Sequence, residues 1–103
     1  MKAIATFTIV PIGVGVSLAR YIAACERVLQ ETGLTVELHA NGTNVEGEWA
    51  EVFDAIRRCH ETLHQMGVPR IHTAIQVGTR TDKAQAMGEK VRRVQEELGA
   101  AGK

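Results

Sequence analysis

The stretch Gly42-Thr43-Asn44-Val45-Glu46-Gly47-Glu48 concentrates hydrogen-bonding side chains between two glycines. Thr43, Asn44 and Glu46 supply a hydroxyl, an amide and a carboxylate, and the glycines permit close approach to the backbone. A small polar ligand suits that set; so does a hairpin with a solvated outer face. A second constellation, His60-Glu61-Thr62-Leu63-His64, matches H-E-x-x-H, which on a helix gives two imidazoles at zinc spacing with a carboxylate as general base. The longer protease pattern fails at its third ligand, where Arg70 stands, because a guanidinium stays protonated and cannot bind zinc. Leu63 faces the core between the two histidines, so His60 and His64 read as partly exposed imidazoles beside a core helix, and no metal is expected. Gly13-Val14-Gly15-Val16-Ser17 leads into a helix start, where free N–H groups can hold an anion. The loop carries no basic residue, and Ser17 as an N-cap is the simpler account. Arg80-Thr81-Asp82-Lys83 places charge at a strand-to-helix junction. Asp82 (or Thr81) is expected to cap the helix, with Arg80 and Lys83 as surface residues or as partners for Glu46 or Glu48 of a neighbouring copy.

These groups need elements to hold them. Residues 3–10 alternate Ala3, Ala5, Phe7, Ile9 against Ile4, Thr6, Thr8, Val10, with no charge on either face. A strand covered on both sides is expected, ended by Pro11. A helix should run from Ser17 to about Thr32, with Leu18, Ile22, Cys25 and Leu29 as its stripe and Gly33 as its C-cap. Strands over 34–38 and 43–48 form a hairpin around a turn at 39–42. A second helix runs from Glu48 or Trp49 to Met66, with Val52, Ile56, Cys59 and Leu63 inward, stopped by Gly67 and Pro69. A fourth strand covers 70–79. A third helix follows with Ala84, Met87, Val91, Val94 and Leu98 as its stripe. The order β-α-β-β-α-β-α is α+β: a ferredoxin-like βαββαβ unit with an extra C-terminal helix and a four-stranded antiparallel sheet. Residues 1–98 make one domain and 99–103 a flexible tail. The sheet face opposite the helices would carry Ile4, Thr6, Thr8, Val10, Ala74 and Gln76. It is too apolar for open water, and a second subunit is expected to cover it.

The chain has 103 residues, 12 basic and 12 acidic, so it shows no net charge to draw nucleic acid or an anionic membrane. Its aromatics are Phe7, Tyr21, Trp49 and Phe53, and Phe7 alternates onto the helix-covered face, which removes the stacking platform that RNA-binding sheets use. Cys25 and Cys59 sit on helix faces without C-x-x-C spacing and read as reduced thiols of a cytoplasmic protein. The apolar run to Val16 is broken by Pro11, Gly13 and Gly15, which argues against a secretory leader, and no apolar run is long enough to span a membrane.

Pro11-Ile12-Gly13, Ser17-Leu18-Ala19-Arg20-Tyr21-Ile22-Ala23, Asn41-Gly42-Thr43-Asn44-Val45-Glu46-Gly47-Glu48, His60 with Gly67 and Arg70, and Arg80-Thr81-Asp82-Lys83 with Lys90 resemble the small thiamine-binding-protein family over nearly the whole chain. The Gly-Thr-x-Val-Glu-Gly-Glu segment is the most specific part. The resemblance implies a ferredoxin-like homotetramer, a dimer of dimers, that binds thiamine or its hydroxymethylpyrimidine moiety and is not an established enzyme; no cofactor is expected. An aminopyrimidine presents an amino donor beside a ring nitrogen, and Glu46 can accept from the first and stabilise protonation of the second. Asn41 and Thr43 can add directional bonds. The candidate ligand-binding residues are therefore Ser17, Asn41, Thr43 and Glu46, with a surface or inter-subunit salt bridge as the other role open to Glu46. The expected function is a non-catalytic cytoplasmic carrier, buffer or sensor; the alternative is a regulatory or assembly module with no dedicated ligand.

Overall fold

The computed structural model describes residues 1–84 and 86–101. The chain runs β1 (Lys2–Ile12), α1 (Ala19–Gln30), β2 (Thr35–His39), β3 (Gly42–Glu48), α2 (Trp49–Gln65), β4 (Arg70–Gly78) and α3 (Met87–Ala101). The strands form one antiparallel sheet in the order β2-β3-β1-β4. This is the expected ferredoxin-like topology with its additional helix.

The alternation in β1 does what its pattern requires. Ala3, Ala5, Phe7 and Ile9 are buried under α1 and α2. Two alanines in that row let the helices approach the sheet closely, and Phe7 fills the space further along. Val45 of β3, Leu29 of α1 and Val52, Cys59 and Leu63 of α2 complete the core, all essentially inaccessible. The α2 terminus follows from Gly67, whose φ of +92° allows the chain to turn while the N–H groups of Met66, Gly67 and Val68 bond the carbonyls of Thr62, Leu63 and His64.

Several boundaries differ from expectation. Pro11 does not end β1; it pairs with Ile71, and the strand reaches Ile12. The β3 ladder stops at the Phe7–Thr43 pair, so residues 8–12 have one open edge where a missing N–H costs no bond. Ser17 is not the N-cap of α1. Leu18 occupies that position, its carbonyl accepts from Tyr21 and Ile22 at 3.0 Å, and no side chain caps the helix. A side-chain cap contributes about 1 kcal/mol, less than the burial of a leucine, and Leu18 is half-buried. Gly33 is not the C-cap either. Helix α1 ends at Gln30, and the Thr32 hydroxyl donates to the Leu29 carbonyl (2.6 Å) and accepts from the Leu34 N–H (3.3 Å), which turns the chain without a left-handed residue.

The largest difference is in α3. Asp82 does not cap it, because the Asp82 carboxylate is engaged two residues back by the Arg80 guanidinium at 2.7 and 2.6 Å. The helix begins at Met87, so Ala84 lies outside it, and it extends to Ala101; Gly102 and Lys103 lie outside the described residues. Its first turn sits on the sheet face opposite α1 and α2, with Met87 buried there. Beyond that turn the helix projects, giving overall extents of 52 × 31 × 20 Å. Val91, Val94 and Leu98 are 53, 60 and 67 % exposed. Among the described residues no helix is long and apolar enough to cross a membrane.

Candidate functional site

A cavity of about 300 Å³ opens where the β2–β3 hairpin ends and β1 runs on past it. Its floor is Phe7 and Ile9, its helix wall is Leu18, Ile22, Cys25 and Glu26 of α1, and its far rim is Leu38 to Thr43. The lining is mostly apolar with a few polar groups, the usual composition of a small-molecule site. The open edge of β1 beyond Phe7 leaves main-chain donors and acceptors facing this space without a strand partner.

Local sequence explains each contributor. Leu18, Ile22 and Glu26 are spaced by four, so they stand in one row along α1. The apolar members of that row face the cavity, and the row delivers a carboxylate at its end. Thr43 enters from β3 as the residue paired with Phe7, hence on the helix side of the sheet, and is only 5 % exposed. Its hydroxyl donates to Glu26 Oε2 at 3.3 Å. Burial pushes the Glu26 carboxyl above the ordinary range, and the Thr43 bond pulls it only partly back. Gly42 must lack a side chain, because a Cβ there would lie 2.6 Å from the Phe7 carbonyl oxygen. The turn is fastened by the Thr8 hydroxyl, which donates to the Asn41 carbonyl at 2.7 Å. The Asn41 N–H bonds His39 Nδ1 at 3.3 Å. Asn41 itself is exposed at the rim.

Of the four candidate residues, Asn41 and Thr43 come together here and Ser17 and Glu46 do not. Ser17 is exposed in the loop before α1 and does not line the cavity. Glu46 is three residues from Thr43 in a strand, so it points through the other face of the sheet. There it is 7 % exposed, its Oε2 accepts the Met87 N–H at 2.7 Å, and its Oε1 lies 3.4 Å from Lys2 Nζ. Glu46 thus supplies the carboxylate at the N-terminus of α3, the place where a helix leaves its N–H groups unsatisfied and its dipole favours negative charge. Asn44 shares that face. The polar cluster of residues 43–46 is divided by the pleat.

Glu26 is the residue that the pattern of polar clusters missed. The available signal was a carboxylate in register with an apolar row, Leu18-Ile22-Glu26, where a fully solvated helix face would have no such row.

His60 and His64 have other uses. His60 Nε2 lies 2.6 Å from the Thr73 hydroxyl and ties α2 to β4; His64 Nδ1 lies 2.7 Å from the Val68 carbonyl and closes the end of α2. Burial, with His64 nearby, holds the His60 imidazole below its usual range. Among the described residues no cluster of three or more histidine, cysteine or acidic side chains is placed to hold a metal ion. Cys25 and Cys59 are free, buried thiols between α1 and α2, with Cys59 Sγ 3.7 Å from the Cys25 carbonyl.

The chain belongs to the thiamine-binding protein family, whose model matches residues 5–95. It is 52 % identical over 95 residues to a UPF0045 protein of Synechocystis sp., covering 92 % of this chain and 78 % of the relative. Among solved structures, a hypothetical protein of Methanocaldococcus jannaschii superposes with a TM-score of 0.85 at 29 % identity, covering 92 % of this chain and 97 % of that one. A Thermotoga maritima protein described as a "putative thiamine biosynthesis/salvage protein" superposes with a TM-score of 0.78 at 21 % identity, covering 91 % of this chain and 99 % of the other, and shows the same fold.

Proposed function

We propose that this protein is a non-catalytic binder of thiamine or its hydroxymethylpyrimidine moiety, acting in the cytoplasm as a carrier or sensor, and that the ligand occupies the cavity between α1 and the β2–β3 turn. The observation that carries this reading is Glu26. A carboxylate with a raised pKa, restrained by the Thr43 hydroxyl at the end of an apolar cavity, is matched to an aminopyrimidine. One oxygen accepts from the exocyclic amino group. The other shares a proton with the adjacent ring nitrogen, a pairing that strengthens as the two proton affinities approach each other. Phe7 and Ile22 offer apolar surface to the ring, and Asn41 stands at the rim as an additional donor or acceptor. The family to which the chain belongs supports the ligand class, and the Thermotoga neighbour's description points in the same direction.

Glu26 takes the role that sequence reasoning gave to Glu46. The decisive experiment is a thermal-shift and calorimetric titration of the full chain with hydroxymethylpyrimidine, thiamine and an unrelated pyrimidine such as cytosine. A saturable rise in Tm with the first two supports the proposal. No shift with any of them favours a module without a dedicated ligand.

The exposed stripe Val91, Val94 and Leu98 on the projecting part of α3 is a helix face that water solvates poorly. It supports a homo-oligomer, a tetramer by the family resemblance, with α3 rather than the bare sheet as an important contact. The sheet face first expected to meet a partner is already partly covered by the Met87 turn. Light scattering of Val94→Lys/Leu98→Lys against the unaltered chain tests this. The double variant should be a monomer, and an unchanged mass would exclude the helix as the contact.

A further inference from the structure

On the sheet face away from the pyrimidine cavity, between the start of β1, the end of β4 and the first turns of α3, lies a second cavity of about 360 Å³. Its polar lining among the described residues is Lys2, Thr79, Arg80, Thr81, Lys83 and Lys90, none of them acidic. The chain as a whole has equal numbers of acidic and basic residues, so this is a local accumulation of positive charge on a neutral molecule. Two of the cations have partners. Arg80 is held by Asp82, and Lys2 stands 3.4 Å from Glu46, whose other oxygen is committed to the Met87 N–H. Lys83 and Lys90 form no ion pair among the described residues, so the balance in the cavity is positive.

We infer that this cavity is a second binding site, for a small phosphate-bearing anion. Like charges that converge on one hollow repel unless an anion joins them, and the repulsion grows as water is displaced. A tetrahedral dianion answers both needs. Its oxygens can accept from the ammonium groups of Lys2, Lys83 and Lys90 and from the hydroxyls of Thr79 and Thr81, all of which line the cavity. A carboxylate would satisfy fewer of these donors, and a nucleic acid would need a longer basic stripe than this local cluster. The two cavities lie on opposite faces of the sheet, so a single small ligand does not span them; the anion is either free phosphate or the phosphoryl group of a separate molecule.

Isothermal titration of the full chain with inorganic phosphate, diphosphate and a simple phosphate monoester, at ionic strength held constant with sodium chloride, tests the site. Wild type should bind at least one of them saturably, and Lys83→Ala/Lys90→Ala should bind about tenfold more weakly. Preference for inorganic phosphate identifies the free anion; preference for diphosphate or the monoester identifies a phosphorylated molecule. Heats no different from those of added chloride, or equal affinity in the double variant, would overturn the inference. Titrating hydroxymethylpyrimidine into the same samples reads the other face, so the pyrimidine proposal and this one succeed or fail separately.

Discussion

Replacing Glu26 by glutamine keeps the shape of the side chain and its bond to Thr43 while removing the charge. The unaltered carboxylate is half-buried and accepts the Thr43 hydroxyl at 3.3 Å. In the complex it would form charge-assisted bonds to an amino group and a protonated ring nitrogen, and a hydrogen bond to a charged group contributes about 1.5–3 kcal/mol. Because the carboxylate keeps some contact with water, the lower half of that range applies, about 1.5–2 kcal/mol, or roughly a 10- to 30-fold loss of hydroxymethylpyrimidine affinity by calorimetry. Stability without ligand should move the other way. Burial raises the folded pKa of Glu26, so between its ordinary value and the raised one the native state binds more protons than the unfolded state. Stability then falls as pH climbs through that window. Glu26→Gln should remove this component, leaving the variant no less stable than wild type above the window and flatter with pH within it, as read from urea midpoints between pH values of about 4 and 7. Equal affinity for wild type and Glu26→Gln would refute the assignment of Glu26 as the recognising group. A variant that lost stability above the window would refute the claim that burial of the charge is unfavourable.

Thr43→Val preserves shape and removes the hydroxyl. It should cost about 0.5–1.5 kcal/mol in urea denaturation, and NMR titration should find the Glu26 carboxyl higher still, since the Thr43 bond is what lowers it. Glu46→Ala leaves the Met87 N–H without its acceptor, so about 1–3 kcal/mol of local stability should vanish from the start of α3. Hydrogen exchange should accelerate across residues 87–101 while pyrimidine affinity stays the same; an affinity loss like that of Glu26→Gln would show that Glu46, not Glu26, meets the ligand. Gly42→Ala sets a Cβ 2.6 Å from the Phe7 carbonyl oxygen and 2.9 Å from Thr8 Oγ1. It should lower stability by about 1–3 kcal/mol and weaken ligand binding through the displaced turn, measurable as a Tm drop with and without hydroxymethylpyrimidine.

Periodicity in the amino-acid sequence was enough for the four antiparallel strands, the two core helices and the helix-covered row of β1; the far face of β1, also expected to be covered, carries the first turn of α3 over part of its length. Ala3, Ala5, Phe7 and Ile9 on one side, and Val52, Ile56, Cys59 and Leu63 on another, repeat at spacings that only one element type can bury together. The family was legible too, through the run from Gly42 to Glu48. Helix ends were less so. Ser17, Gly33 and Asp82 all carry good capping chemistry, yet each contributes about 1 kcal/mol or less, and packing or a nearby partner outweighed it.

The site needed the third dimension. Thr43 and Glu46 are neighbours in the chain, but strand pleating sends them to opposite faces, one to Glu26 of α1 and the other to the N-terminus of α3. Thr43 and Glu26 meet although 17 residues separate them, and Glu46 and Met87 meet across 41. Which polar groups lie near one another in sequence is a local property; which of them share a desolvated cavity depends on how α1 and α3 settle on the two sides of the sheet, and that is set by the packing of the whole chain.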